Sequence, residues 1–104
     1  MRMLVDHEGR GVRLTRERLA HILEHPEMRR MEPAIEWTLR IPDRVMRSKS
    51  DPEVELYYRY HPFTSVGGKH VCVVVKRLPI DAYVITAYLT DLVKRGIQIW
   101  PVEK

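Results

Sequence analysis

Residues 69–90, KHVCVVVKRLPIDAYVITAYLT, constrain this chain more than any other stretch. Two runs rich in β-branched residues, 69–77 and 82–89, flank the turn Leu78-Pro79-Ile80-Asp81. Branched side chains suit a pleated strand and the Pro/Asp segment suits a turn, so the stretch reads as a β-hairpin. Val71, Val73 and Val75 form one alternating set of the first run. Cys72 and Val74 stand in the other, among His70 and Lys76. A strand with apolar residues on both faces is covered on both sides, which places it inside a sheet rather than at its edge. The fold is expected to grow outward from this hairpin.

The rest of the chain supplies what would pack on it. Thr15 is a good helix N-cap, and Leu14 and Leu19 occupy the two positions of a hydrophobic staple. Leu19, Ile22 and Leu23 share a stripe, which predicts a short amphipathic helix over 16–24. Pro26 disfavours helical geometry at His25 and ends it. Arg18, His21 and His25 lie on a stripe turned away from the leucines. Pro33 suits the first turn of a second helix reaching Arg40, with Ile35 and Leu39 inward. Residues 3–5 and 44–49 read as short or weak strands, and 53–60 (EVELYYRY) as a stronger one. A helical turn is expected over 91–95, stopped by Gly96, and 97–100 is a last apolar segment. The order predicts an α+β fold: two N-terminal helices packed on one face of a three- to four-stranded antiparallel sheet. With 104 residues it reads as a single domain, 1–104, whose core is real but modest. Met1 and the tail 101–104 read as natural ends.

Composition excludes some function classes. The 31% of charged residues and 44% of hydrophobic ones are those of a globular chain, not a disordered one. No apolar run is long enough for a transmembrane helix, and the N-terminal apolar stretch is too short for a signal peptide. The lone Cys72 cannot form an internal disulfide. It reads as a small core residue of a reduced, cytoplasmic protein. The net charge of +4 is compatible with nucleic acid or acidic partners and equally with a solvated surface.

Strand parity assigns the open face. Val71, Val73 and Val75 are expected against the helices, together with Tyr83, Ile85, Ala87 and Leu89 and with Val54, Leu56, Tyr58 and Tyr60. The opposite face then collects Tyr57, Arg59, His70, Cys72, Val74, Lys76, Thr86 and Tyr88. A symmetric register would set Arg59, His70 and Tyr88 side by side, with Tyr57, Cys72 and Thr86 in the next row. Arg offers forked donors to phosphate oxygens, His exchanges a proton near neutrality, and Tyr stacks on bases or donates to phosphate. The alternative is a solvated sheet face carrying the same residue types.

Several blocks in order carry a resemblance: HILEHPEM (21–28), LRIPDRV (39–45), ELYYRY (55–60), GKHVCVVVK (68–76) and YVITAYLTDLVKRGIQIW (83–100). Over about four-fifths of its length the chain resembles the phage-associated branch of the barnase–EndoU–colicin–RelE nuclease superfamily. The resemblance implies two helices before a four-stranded antiparallel sheet, and metal-independent cleavage of RNA by attack of the ribose 2′-OH on the adjacent phosphate. Such domains are toxin-like or phage-borne, so RNA is the implied substrate and an antitoxin or immunity protein a possible partner. On this chain it points to His21 as general acid or base and Arg59 for phosphate stabilisation. Thr86 and Tyr88 would orient phosphate or sugar, and His70 or His25 would supply the second proton transfer. Tyr57 and Lys76 join His25 as substrate contacts.

Other readings of these residues stay open. His21 and His25 have the i, i+4 spacing of helical metal ligands, but Pro26 disturbs the second position and no third ligand follows, so no metal is expected. Gly67-Gly68-Lys69 lacks the spacing and the following Ser/Thr of a phosphate loop and reads as a turn; no cofactor motif is present. Arg29-Arg30 and Lys94-Arg95 are short pairs that are solvated or guide a polyanion. A non-catalytic RNA- or protein-binding module with the same fold is the competing function.

Overall fold

The computed structural model describes residues 1–102; the last two residues of the C-terminal tail lie outside them. Thr15 caps the first helix, α1 (Arg16–Leu23), by accepting a 3.2 Å bond from the Arg18 amide. A 3-10 turn follows at Pro26–Met28, which buries Met28, and α2 runs Glu32–Arg40 with Ala34, Ile35, Thr38 and Leu39 buried. The strands are β1 (Arg2–Val5), β2 (Gly11–Leu14), β3 (Arg44–Arg47), β4 (Val54–Thr64), β5 (Gly67–Arg77), β6 (Ala82–Thr90) and β7 (Ile97–Trp100).

All seven belong to one sheet in the order β1-β2-β6-β5-β4-β3-β7. The β5–β6 hairpin is central, as the valine-rich run predicts. The expected three- to four-stranded antiparallel sheet is corrected: the sheet has seven strands and is mixed. The N-terminal hairpin β1–β2 joins it through a parallel pairing of β2 with β6, Arg13 opposite Tyr83. Arg13 and Asp81 clamp this junction with two hydrogen bonds of 2.9 and 2.6 Å. At the other edge β7 returns to pair with β3. The physical reason is length. Segments of four residues carry little periodic signal, and only long-range partners make them strands.

The helices cover one face, α1 over β6 and α2 over β5, β4 and β1. Beneath them lie Ile22, Ile35, Leu39, Tyr57, Val71, Val73, Val75, Val84 and Ala87. Two parity expectations are corrected. In β4 the helix-facing residue is Tyr57, while Leu56 and Tyr58 pack on the opposite face with Met46 and Cys72. Both alternating sets of β4 are apolar enough to be buried, so alternation could not choose between them; register with the valines of β5 did. In β6 the partners change from Val74–Thr86 to Val75–Val84. Ile85 is therefore an extra residue, a β-bulge. Ala82 and Val84 face the helices before it, and Ala87 and Leu89 after it. Tyr83 and Ile85 do not follow the single parity that the sequence suggested. Bulges re-aim side chains; this one shifts the residues before it, while Thr86 and Tyr88 keep the helix-free face that parity gave them.

Residues 91–96 form an irregular strap rather than the expected helical turn. Thr90 Oγ1 accepts from the Leu92 amide at 3.2 Å, and the Lys94 amide donates to the Tyr58 hydroxyl at 3.1 Å. The strap thereby crosses the helix-free face on its way to β7. At Gly96 a Cβ would meet the Arg47 carbonyl oxygen at 2.6 Å, so only glycine lets the strap pass this close to β3.

Candidate functional site

The sheet divides the side chains singled out by sequence into two groups. His70, Lys76, Thr86 and Tyr88 share the helix-free face. In the rows across it Tyr60 lies opposite His70, Tyr58 opposite Cys72 and Cys72 opposite Tyr88, then Leu56 opposite Val74 and Val74 opposite Thr86. Arg59 and Tyr57 are on the other side. Arg59 pairs with Val71, a residue of the helix-side core, and its Nη1 donates to the Ile41 carbonyl just beyond α2 at 2.6 Å. His21 and His25 are both exposed in the helical layer, their rings 6.5 Å apart and each beside a glutamate of its own segment. The expected row of Arg59, His70 and Tyr88 does not form, because Arg59 points through the opposite face.

The helix-free face carries a groove of about 460 Å³ lined by Ser48, Lys49, Ser50, Val54, Leu56, Val74, Thr86, Tyr88, Lys94 and Arg95. Each side owes its chemistry to a different element. Val54 and Leu56 of β4 and Val74 of β5 make an apolar floor. The β3–β4 turn brings Ser48, Lys49 and Ser50, with the two serine hydroxyls 3.0 Å apart. The strap brings Lys94 and Arg95, and Lys94 Nζ stands 5.9 Å from the centroid of the Tyr88 ring, a cation–π distance. Lys49, Lys94 and Arg95 form no ion pair among the described residues, in contrast to Lys76. Lys76 is on the same face but is held by Asp51 at 2.8 Å and Glu53 at 3.2 Å. His70 lies beyond the groove, its ring edge-on to Tyr60 with centroids 5.3 Å apart.

Behind the groove the sheet is dry. Cys72 is buried, and burial, more than the neighbouring tyrosines, governs its thiol and pushes its pKa up. An unreactive thiol results. Burial likewise raises Tyr58 to about 12 and holds Tyr88 above its ordinary value, the Cys72 thiol adding to both. The Tyr88 hydroxyl is buried without a hydrogen-bond partner among the described residues. These phenols stay protonated at neutral pH, which leaves neither of them a base.

A second polar cluster, not anticipated from sequence, lies at the end of the helix-bearing face under the β1–β2 turn. Asp6 accepts bonds from the amides of Glu8 and Arg10, both at 2.9 Å, from Arg10 Nε at 2.9 Å and from Arg77 Nη2 at 2.7 Å. Arg77 also donates to the Tyr57 hydroxyl and to Glu55, and Tyr57 donates to Glu55. Burial works against the Asp6 charge, but the amide bonds and the two arginines outweigh it and lower the pKa. Burial, reinforced by Glu55, raises the Tyr57 phenol. Every partner here is matched, which makes the cluster a structural lock rather than a reactive centre. Tyr57, expected as a substrate contact, is fully buried within it.

Among the described residues no group of three or more His, Cys, Asp or Glu side chains gathers as metal ligands, and no helix is long and apolar enough to cross a membrane. No protein-family model, no curated protein and no solved structure matches the chain.

Proposed function

We propose that the protein acts on RNA, as a small metal-independent endoribonuclease of toxin-like or phage-associated type that holds its substrate on the helix-free face. One observation carries the reading. Three cations without acidic partners among the described residues border an apolar floor beside a tyrosine and a threonine. That combination suits a single strand of nucleic acid, whose phosphates meet the cations while a base lies on the floor or the ring. The resemblance to the barnase–EndoU–colicin–RelE nucleases supports RNA as the polymer. Cleavage by 2′-OH attack needs an acceptor for the hydroxyl proton, a donor for the leaving 5′-oxygen and stabilisation of the charged phosphorane. On this face His70 is the imidazole available for proton transfer. Lys94 and Arg95 are the cations, Thr86 the hydroxyl that would orient the phosphate, and the Tyr88 ring a surface for the base or sugar. In the toxin-like form of the reading, an antitoxin or immunity protein competes with RNA for the groove.

A specific observation favours a second reading, a non-catalytic RNA-binding module. His21, His25 and Arg59 are separated from Thr86 and Tyr88 by the sheet itself, so the set singled out by resemblance is not gathered in one place. The two readings part in one experiment. The chain is incubated in EDTA with fluorescent RNA and with the all-2′-deoxy oligonucleotide of the same sequence, from pH 5 to 8, where histidine titrates. Cleavage of the RNA alone supports the nuclease. Binding of both without cleavage at any pH supports the module, and binding of neither overturns both.

A further inference from the structure

The sheet curls until its two edges meet at one corner. β1 and β7 are its outermost strands. Yet the ring of His7, just past β1, lies 5.0 Å from the Trp100 ring of β7 and is tilted by 59° to it. α2, which packs on β1 and on β4, ends at the same corner with Arg40. Three segments far apart in sequence thereby border one open cleft of about 490 Å³. His7 and Glu8 reach it from the β1–β2 turn, Arg40 and Ile41 from the end of α2, and Ile99 and Trp100 from β7. Its volume falls in the roughly 300–1,000 Å³ range of small-molecule sites, and it shares no lining residue with the groove.

The mixture of side chains narrows the ligand. Trp100 is 36% exposed, so part of its indole is open for stacking. His7 is held from behind: its ring is also edge-on to the buried Tyr57, with centroids 5.9 Å apart, and Tyr57 is fixed by Glu55 and Arg77. Arg40 is exposed, and its guanidinium has no partner among the described residues. Glu8 uses Oε1 for a 3.3 Å bond from Arg10, with His7 Nε2 at 3.6 Å from the same oxygen, which leaves Oε2 as an acceptor. An indole takes a flat ring on its face, and a free guanidinium offers forked donors to phosphate oxygens. A carboxylate accepts N–H groups and repels a bare anion. A free phosphate ion would leave Trp100 unused and meet Glu8, and an uncharged aromatic compound would leave Arg40 unused. A base joined to a phosphate uses all three groups.

We propose that this corner cleft binds a nucleoside monophosphate. The base stacks on Trp100 beside His7, its N–H groups donate to Glu8, and Arg40 holds the phosphate. The nucleotide is either free or the phosphorylated end of a nucleic acid strand. The site goes beyond the ribonuclease reading and does not need RNA to be cut.

Tryptophan emission tests it on the whole chain. Trp37 and Trp100 are the two tryptophans, so a Trp37→Phe background lets Trp100 report alone, and calorimetry on the wild type gives the same affinities with no substitution. AMP and UMP are titrated in one arm and a 5′-phosphorylated all-2′-deoxy trinucleotide in the other; 2′-OH attack can cut none of them. Saturable binding that changes Trp100 emission is expected, and the arm with the higher affinity identifies the source of the nucleotide. Adenosine, which lacks the phosphate, should bind about tenfold or more weakly than AMP. Arg40→Gln should weaken AMP by a similar factor and leave adenosine unchanged, a split that misfolding does not produce. The groove variant Lys94→Ser should bind AMP as the wild type does. No saturable binding in either arm, adenosine bound as tightly as AMP, unchanged AMP affinity in Arg40→Gln, or its loss in Lys94→Ser would overturn the proposal. If the wild type cleaves no RNA and AMP still binds with this dependence on Arg40, the ribonuclease reading fails and this site stands.

Discussion

On the helix-bearing face, branched and aromatic side chains of β4, β5 and β6 are sealed under α1 and α2, and the polar cluster of Asp6, Glu55, Tyr57 and Arg77 is matched within itself. On the helix-free face the same strands carry a thinner apolar layer of Met46, Leu56, Tyr58 and Cys72, crossed by a strap and bordered by cations with no acidic partner among the described residues. That cluster turns its polar groups on one another; the groove on the second face leaves its cations facing solvent. A buried charge needs its partner to be tolerable, whereas an exposed cation needs none. Stability and binding should accordingly separate by face.

The largest effect is expected where charge is buried. Arg77→Ala leaves Glu55 without a cation and Asp6 with Arg10 as its one remaining arginine, and should cost about 3 kcal/mol or more in denaturant unfolding; a loss below about 1 kcal/mol would mean that the cluster is solvated after all. On the helix-free face Leu56→Ala should cost about 2–4 kcal/mol, since a buried leucine leaves a cavity even in a thin layer. A cost near zero would show that face to be open and relaxed.

Acid should probe the first face through Asp6. Its folded-state pKa is lowered, so its contribution to stability is complete above the unfolded carboxylate range, about 4, and is lost as pH falls through the lowered folded value. Asp6→Asn should flatten that acid limb, together with a general loss of stability. Asp51 and Asp81, lowered chiefly by hydrogen bonds from Lys76 and Arg13, titrate in the same direction.

The groove should respond in binding, not in stability. Replacing Lys49, Lys94 and Arg95 together by Ser should shift Tm little. It should also flatten the dependence of log Kobs for single-stranded RNA on log salt by about 2, each phosphate contact on a single strand contributing about 0.7. An unchanged slope would remove the groove from the binding surface. The smallest effect is expected for Tyr88→Phe. Its hydroxyl has no hydrogen-bond partner among the described residues, so stability should change by less than about 1 kcal/mol. Any loss of RNA affinity would then report a contact made by the hydroxyl.

How much was legible follows from particular residues. Val71, Val73 and Val75 announced the central strand and its helix-facing side, because three branched residues at period two admit no other placement. His70, Lys76, Thr86 and Tyr88 were placed together on the other face, and they are together there. Arg59 and Tyr57 were not, because β4 offers tyrosines and leucine to both sides and its own pattern cannot choose. His61 was missed as a strand residue because Pro62 follows it. The signal that could have found it is parity carried from Arg59 across Tyr60. Lys94, Arg95 and Lys49 lie in segments without periodicity, and their meeting depends on a strap and a turn.

The sequence by itself determined the two short helices, the Thr15 cap of the first, the central hairpin and the valine face that binds them. These rest on local chemistry: a threonine that accepts an amide proton, a proline that ends a turn of helix, branched side chains that favour an extended backbone. Only the tertiary structure decided that four-residue segments at both ends of the chain complete a seven-stranded mixed sheet. It also decided which side of β4 faces the helices, and that a single bulged residue at Ile85 brings Ala82 and Val84, not Tyr83, against them. Those outcomes depend on register between strands distant in sequence. In a strand of period two a shift of one residue reverses every side chain, and nothing local to the strand carries that information.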